Sequence, residues 1–146
     1  MNDTAHAQSR ARSTILILED NLNRLDAMRD AVESLGKHPH VQHWDNAPQM
    51  IAEAADFFAN ACLISLDYDL SASLTTTGQG TGSGMDVVRS LVKRKPFCPV
   101  IIHSSLPNQS RRMAEALQRR GWTAKQVPLS KREEIAKWLE AVEELA

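Results

Sequence analysis

The chain has 146 residues, 42% of them apolar and 24% charged, with a formal net charge of −1. That length suits one domain, able to bury about 70% of its unfolded surface. The near-neutral balance argues against a basic nucleic-acid face or an electrostatic hold on anionic membrane, and no apolar run approaches the ~20 residues of a membrane span.

Residues 1–13 are polar, lack the apolar stretch of a secretory signal and are expected to form a disordered arm ahead of a domain over 14–146. Thr14 to Leu18 is a continuous apolar run, as in a buried parallel strand, and it stops at Glu19, Asp20 and Asn21. Leu25, Met28, Val32 and Leu35 then repeat at helical spacing, with Gly36 as the expected stop. His40 to Trp44 reads as a weaker strand. Asn46 caps a helix with Pro48 in its first turn, and Ile51, Ala54, Ala55 and Phe58 form its expected buried stripe. Ala61 to Leu66 is a third strand, followed by Asp67 and Asp69.

Leu70 to Gly84 is rich in Thr, Ser and Gly and is expected to be a flexible lid or a disordered loop. Val87, Val88, Leu91 and Val92 mark a short helix. Val100 to Ile102 is a fourth strand ending in His103, Ser104 and Ser105; Met113, Ala116 and Leu117 mark a helix stopped by Gly121. Thr123 to Val127 is a fifth strand. Ser130 and Glu133 are spaced as a capping box for a last helix that turns Ile135, Trp138, Leu139 and Val142 inward. Cys62 and Cys98 lie in apolar strand-like contexts and are expected to be buried, reduced thiols of a cytoplasmic protein.

Strands alternating with helices predict an α/β fold: a doubly wound five-stranded parallel sheet in flavodoxin-like order 2-1-3-4-5, with helices on both faces. In that order the acids ending strands one and three meet where the chain reverses direction, which is where such sheets bind ligands. Carboxylates gathered there repel unless a cation sits among them. Oxygen donors of this kind suit Mg²⁺ or Mn²⁺, so Glu19, Asp20 and Asp67 are the expected ligands. His103 is suited to acid–base work near neutral pH, or it simply points into the layer between sheet and helices. Ser104 is placed to bind a phosphate oxygen.

The segments ILILEDN and LISLD, with the helix between them, resemble the receiver domain of two-component response regulators from Thr14 onward. The resemblance implies that Glu19, Asp20 and Asp67 hold Mg²⁺, that Asp67 accepts a phosphoryl group in a phosphorelay, and that Ser104 is the hydroxyl ending the fourth strand. It departs at the fifth strand, where Val127-Pro128 stands in place of a Lys-Pro pair; Lys125 and Lys131 lie nearby. A closer resemblance is to the cyclic-phosphate-processing receivers. It is carried by ISLDYDL with Asp69, by GMDVVR, by VIIHSSLPNQSRRM with its His-Ser-Ser element, and by the Trp after Gly121. It implies a cyclic-phosphate substrate class, and the chemistry of opening such a phosphate makes Asp67, His103 and Ser104 the expected catalytic residues, with Asp69 and Ser105 as expected substrate contacts.

The glycines at 78, 80, 82 and 84 spell neither a dinucleotide-binding nor a Walker motif. No second His-x-Ser/Thr joins His103-x-Ser105, which excludes a two-histidine phosphodiesterase. Arg111, Arg112, Arg119 and Arg120 read as a solvated helix face, with Arg111 or Arg112 available to an anion. Three readings follow: a Mg²⁺-dependent domain that binds or processes a cyclic or terminal phosphate on a small molecule or RNA end; a response regulator phosphorylated on Asp67; and a degenerate receiver that binds a partner protein.

Overall fold

A computed structural model describes residues 13–37, 39–70 and 80–146. The expected N-terminal arm, apart from Ser13, and most of the expected Leu70–Gly84 loop lie outside the described residues.

Among the described residues, five strands alternate with five α-helices. These are β1 (Thr14–Leu18), α1 (Leu22–Glu33), β2 (His40–Trp44), α2 (Ala47–Glu53), β3 (Ala61–Leu66), α3 (Gly84–Leu91), β4 (Val100–Ile102), α4 (Pro107–Gln118), β5 (Ala124–Gln126) and α5 (Ile135–Leu145). The sheet order is β2-β1-β3-β4-β5 and every pairing is parallel, as the alternation predicts. None of these helices is long and apolar enough to cross a membrane.

Strand alternation divides the core into two layers. Leu16, Leu18, Ile64, Leu66, Val100 and Ile102 face α2, α3 and α4. Ile15, Ile17, Leu63 and Ile101 face α1 and α5, where Leu25, Met28, Val32, Trp138 and Val142 close over them. Register then fixes the carboxyl edge. Leu18 lies beside Leu66, Leu66 beside Ile102, and Ile102 beside Gln126. The residues that follow, Glu19, Asp67, His103 and Val127, therefore form one row across the sheet.

Four local expectations change. Helix α1 ends at Ser34, whose hydroxyl donates to the Ala31 carbonyl at 2.5 Å, so Gly36 is not its stop. Helix α2 buries Ala47 and Met50 and leaves Ile51 exposed, so its buried face starts one residue ahead of the expected stripe; in the 3₁₀ turn over Ala54–Asn60 that follows, Ala54 is buried and Ala55 exposed. Glu134, not Glu133, is the acid that pairs with Ser130: its Oε1 accepts from the Ser130 and Lys131 N–H groups at 2.8 and 2.9 Å, closing the 3₁₀ turn that leads into the last helix. Cys62 and Cys98 are free thiols, as expected, but half-buried.

Glycine is required where α4 ends: Gly121 takes φ +85°, and the chain turns so that the Trp122 N–H meets the Leu117 carbonyl at 3.1 Å.

Candidate functional site

The row at the carboxyl edge faces α1 and α5, and it is built from buried polar groups that are hydrogen-bonded to one another. Glu19 is fully buried. Its backbone is fixed by its N–H to the Trp44 carbonyl at 3.0 Å, and by His43, whose Nε2 donates to the Glu19 carbonyl at 2.8 Å. Its carboxylate accepts from the Asn21 N–H at 3.0 Å, from Arg24 Nη1 at 3.2 and 3.4 Å, and from His103 Nε2 at 3.0 Å. On the far side of the His103 ring, Nδ1 lies 2.7 Å from Ser65 Oγ, which also accepts from Trp138 Nε1 at 3.0 Å. A continuous hydrogen-bonded chain thus runs from α5 through β3 and β4 to β1 and α1.

Asp67, also buried, is held more loosely. Its Oδ1 accepts from the Tyr68 N–H at 2.8 Å, and its Oδ2 stands 3.7 Å from Arg24 Nη1. Ligand atoms of Glu19, Asp67 and His103 lie within 4.8 Å of one another. Their protonation separates the two acids. Burial pushes the Asp67 carboxyl up to about 6, His103 opposes this, and the Glu19 charge adds to it. Burial also works to raise Glu19, but the hydrogen bond and charge of His103, then the Asn21 N–H and Arg24, hold it down at about 2. Two like charges so close push their ionisations apart: Glu19 is the anchored anion and Asp67 the one with proton-exchange capacity near neutral pH.

Glu19, Asp67 and His103 thus come together as read from sequence. Asp20 is half-buried beside Glu19 and lies outside the 4.8 Å group. Ser104 is buried; its Oγ accepts from the Leu106 N–H at 3.2 Å, so it is turned toward the start of α4. Asp69, paired through its backbone with Ser83, and Ser105 are exposed. Val127 occupies the fourth place in the row and packs into the α1/α5 core. Lys125 does not reach the site, since its Nζ bonds Glu144 Oε2 at 3.1 Å on α5. Arg111 is exposed and pairs with Glu115 at 4.0 Å, the solvated face expected of it.

Sequence reading missed Arg24, Ser65, Trp138 and the role of Gly84. Arg24 is the third residue of α1, in a turn where the helix dipole disfavours a cation, and that misfit was its signal. Ser65 interrupts a buried apolar strand, and a buried indole N–H requires an acceptor. Gly84 starts α3 directly on the Asp67 backbone: a Cβ there would overlap the Asp67 carbonyl oxygen, and the Gly84 N–H donates to Tyr68 O at 3.0 Å.

The donor set suits a divalent cation. Two carboxylates are the usual protein share of a Mg²⁺ site, and a neighbouring imidazole broadens the choice toward Mn²⁺.

This fold and this acidic edge define a receiver domain of the response-regulator type. The chain belongs to the family described as the cyclic-phosphate processing receiver domain, whose sequence model matches residues 15–119. No curated protein sequence matches the chain. Solved structures share the fold at low identity. The phosphorylated cyanobacterial phytochrome response regulator RcpA superposes with a TM-score of 0.67 at 15% identity, covering 91% of this chain and 92% of that one. The response regulator domain of Thermotoga maritima CheB gives 0.66 at 16% identity, covering 90% and 94%. The Mn²⁺-bound form of response regulator Rcp1 gives 0.65 at 13% identity, covering 90% and 91%.

Proposed function

We propose that Glu19, Asp67 and the adjacent Asp20 bind one Mg²⁺ or Mn²⁺, and that the loaded site binds or processes a cyclic or terminal phosphate on a small molecule or an RNA end. The observation that carries this reading is the row itself: Glu19, Asp67 and His103 converge within 4.8 Å, and Val127 stands where a phospho-switch needs lysine. When bound, the ion supplies positive charge on phosphate oxygens and activates water. Glu19 is a fixed ligand, because His103 and the Asn21 N–H already orient its carboxylate. Asp67 is the adjustable group that faces the reacting phosphate. His103 is fully buried between Ser65 and Glu19, so its role is to position Glu19 and tune its charge. Ser104, Asp69 and Ser105 follow β3 and β4 at this edge and are the groups assigned to phosphate and substrate in this reading.

Calorimetric titration with MgCl₂ and MnCl₂, on wild type and Asp67→Asn, tests the metal. Binding lost in the variant supports the reading, and negligible binding in both sinks it. The loaded protein is then offered 2′,3′-cyclic nucleotides and acetyl phosphate, followed by ³¹P NMR and intact-mass spectrometry. Ring opening or saturable binding of the cyclic phosphates is expected. Stable phosphorylation of Asp67 would instead make the chain a signalling response regulator.

A further inference from the structure

We infer that Arg24 is a two-position cation: it neutralises Glu19 and Asp67 while the site is metal-free, and it becomes the phosphate-binding residue once a divalent ion takes over those carboxylates. This rests on the metal reading above and assigns the anion-binding group that the fifth strand lacks.

Arg24 Nη1 is shared between the two acids, 3.2 Å from Glu19 Oε1 and 3.7 Å from Asp67 Oδ2. A cation in the first turn of a helix opposes the dipole, so the acids, not α1, hold it there. Its side chain is 27% exposed whereas both acids are buried, so of the three groups Arg24 is the one solvent reaches. A guanidinium has five donors in a planar fork. The contacts to Glu19 and Asp67 all involve Nη1, so donors remain for a second anion.

Charge counting gives the direction of exchange. Without metal, two carboxylates face the Arg24 guanidinium, while His103 holds Glu19 from the opposite, buried side and stays there whether or not an ion is bound. A divalent ion balances both carboxylates by itself, and the Arg24 charge is then left for an incoming anion. On the fifth strand itself, Lys125 is engaged with Glu144, and Val127, in the row beside the acids, offers no donor. Arg24 and the metal thus compete for the same carboxylates when phosphate is absent and act on the same phosphate when it is present.

The test uses the whole chain as wild type, Arg24→Ala and Arg24→Lys. MnCl₂ alone is titrated first, and inorganic phosphate is then titrated into the Mn²⁺-loaded proteins, read by ³¹P line broadening. Arg24→Ala is expected to bind Mn²⁺ severalfold more tightly, since its competitor is gone. Phosphate should bind it about ten- to a hundredfold more weakly, the worth of charge-assisted hydrogen bonds. Arg24→Lys keeps the charge but not the fork and should fall between for phosphate. Urea unfolding midpoints identify a misfolded variant; if Arg24→Ala does not fold, Arg24→Lys decides on the same two readings. Unchanged phosphate affinity, or Mn²⁺ binding that weakens in parallel with it, overturns the inference. Failure of wild type to bind Mn²⁺ would overturn the metal reading and this inference with it, and it would show before any variant is compared.

Discussion

Replacing Asp67 with asparagine should stabilise the metal-free fold at neutral pH. Burial and the Glu19 charge raise the Asp67 carboxyl from 3.8 to about 6, which makes its ionised form about 3 kcal/mol less favourable in the fold than in the unfolded chain. Asparagine removes that cost and keeps an oxygen for the Tyr68 N–H. The attraction to Arg24 across 3.7 Å is already part of that value, so a net gain of about 3 kcal/mol is expected. For a domain of this size that is a rise of roughly 6–12 °C in Tm. The sign follows from an acid whose folded value lies above its unfolded one. Its stabilising, protonated form is present below 3.8 and is lost as pH rises through about 6. The advantage of Asp67→Asn should therefore be full at pH 7.5, shrink below pH 6 and vanish or reverse near pH 3.5. Urea unfolding of both proteins in EDTA across that range measures it. A variant equally or less stable at pH 7.5, or an advantage independent of pH, would refute the assignment of Asp67 as the strained acid of the pair.

The remaining expectations concern its neighbours. Glu19→Gln should cost about 3–5 kcal/mol in urea unfolding at pH 7, because it leaves His103 and Arg24 without a buried anion. Glu19 is depressed to about 2, so its contribution is present above 4.5 and lost as pH falls toward 2; the penalty should therefore shrink on acidification over that range. Trp138→Phe removes the donor to Ser65 and should cost about 1–3 kcal/mol by the same assay. Wild type incubated with acetyl phosphate and Mg²⁺ should show little label on Asp67 by mass spectrometry. Val127→Lys should raise it by roughly tenfold or more if a charge-assisted contact is what the row lacks.

The sheet and its acidic edge were legible because each strand announces itself twice. ILIL is apolar without interruption and CLISL is broken only by Ser65, and each ends abruptly in acid, so order 2-1-3-4-5 followed from alternation with helices. What escaped were residues whose role depends on pairing across the sheet. Ser65 and His103 are 38 positions apart, and only the register of β3 on β4 brings them into one face. Arg24 precedes Leu25 in the buried stripe of α1 and reads as a solvated neighbour until the Glu19 side chain is seen to lie beneath it. The stripe of α2 was misread for a different reason: Met50 and Ile51 are adjacent apolar residues, and the helix turns Met50 rather than Ile51 onto the sheet, while the 3₁₀ turn from Ala54 keeps Ala54 buried and leaves Ala55 outside.

The two acids at this edge are nearly equivalent in sequence, each the first residue after a buried apolar strand, yet the fold gives them unequal surroundings. Glu19 receives Asn21, Arg24 and His103, and behind His103 stand Ser65 and Trp138. A buried polar group costs free energy unless its partners are in place, and every link of this chain has one, so α5 and β3 in effect brace the β1 carboxylate. Asp67 receives the Tyr68 N–H and a longer contact to Arg24. One carboxylate is thus fixed and ionised before a ligand arrives, and the other exchanges its proton when charge is added nearby. In the function proposed above, uptake of a divalent ion and then a phosphate, that division separates affinity from response: the anchored Glu19 is the group proposed to set where the ion sits, and Asp67, with Arg24 beside it, the group proposed to change on binding.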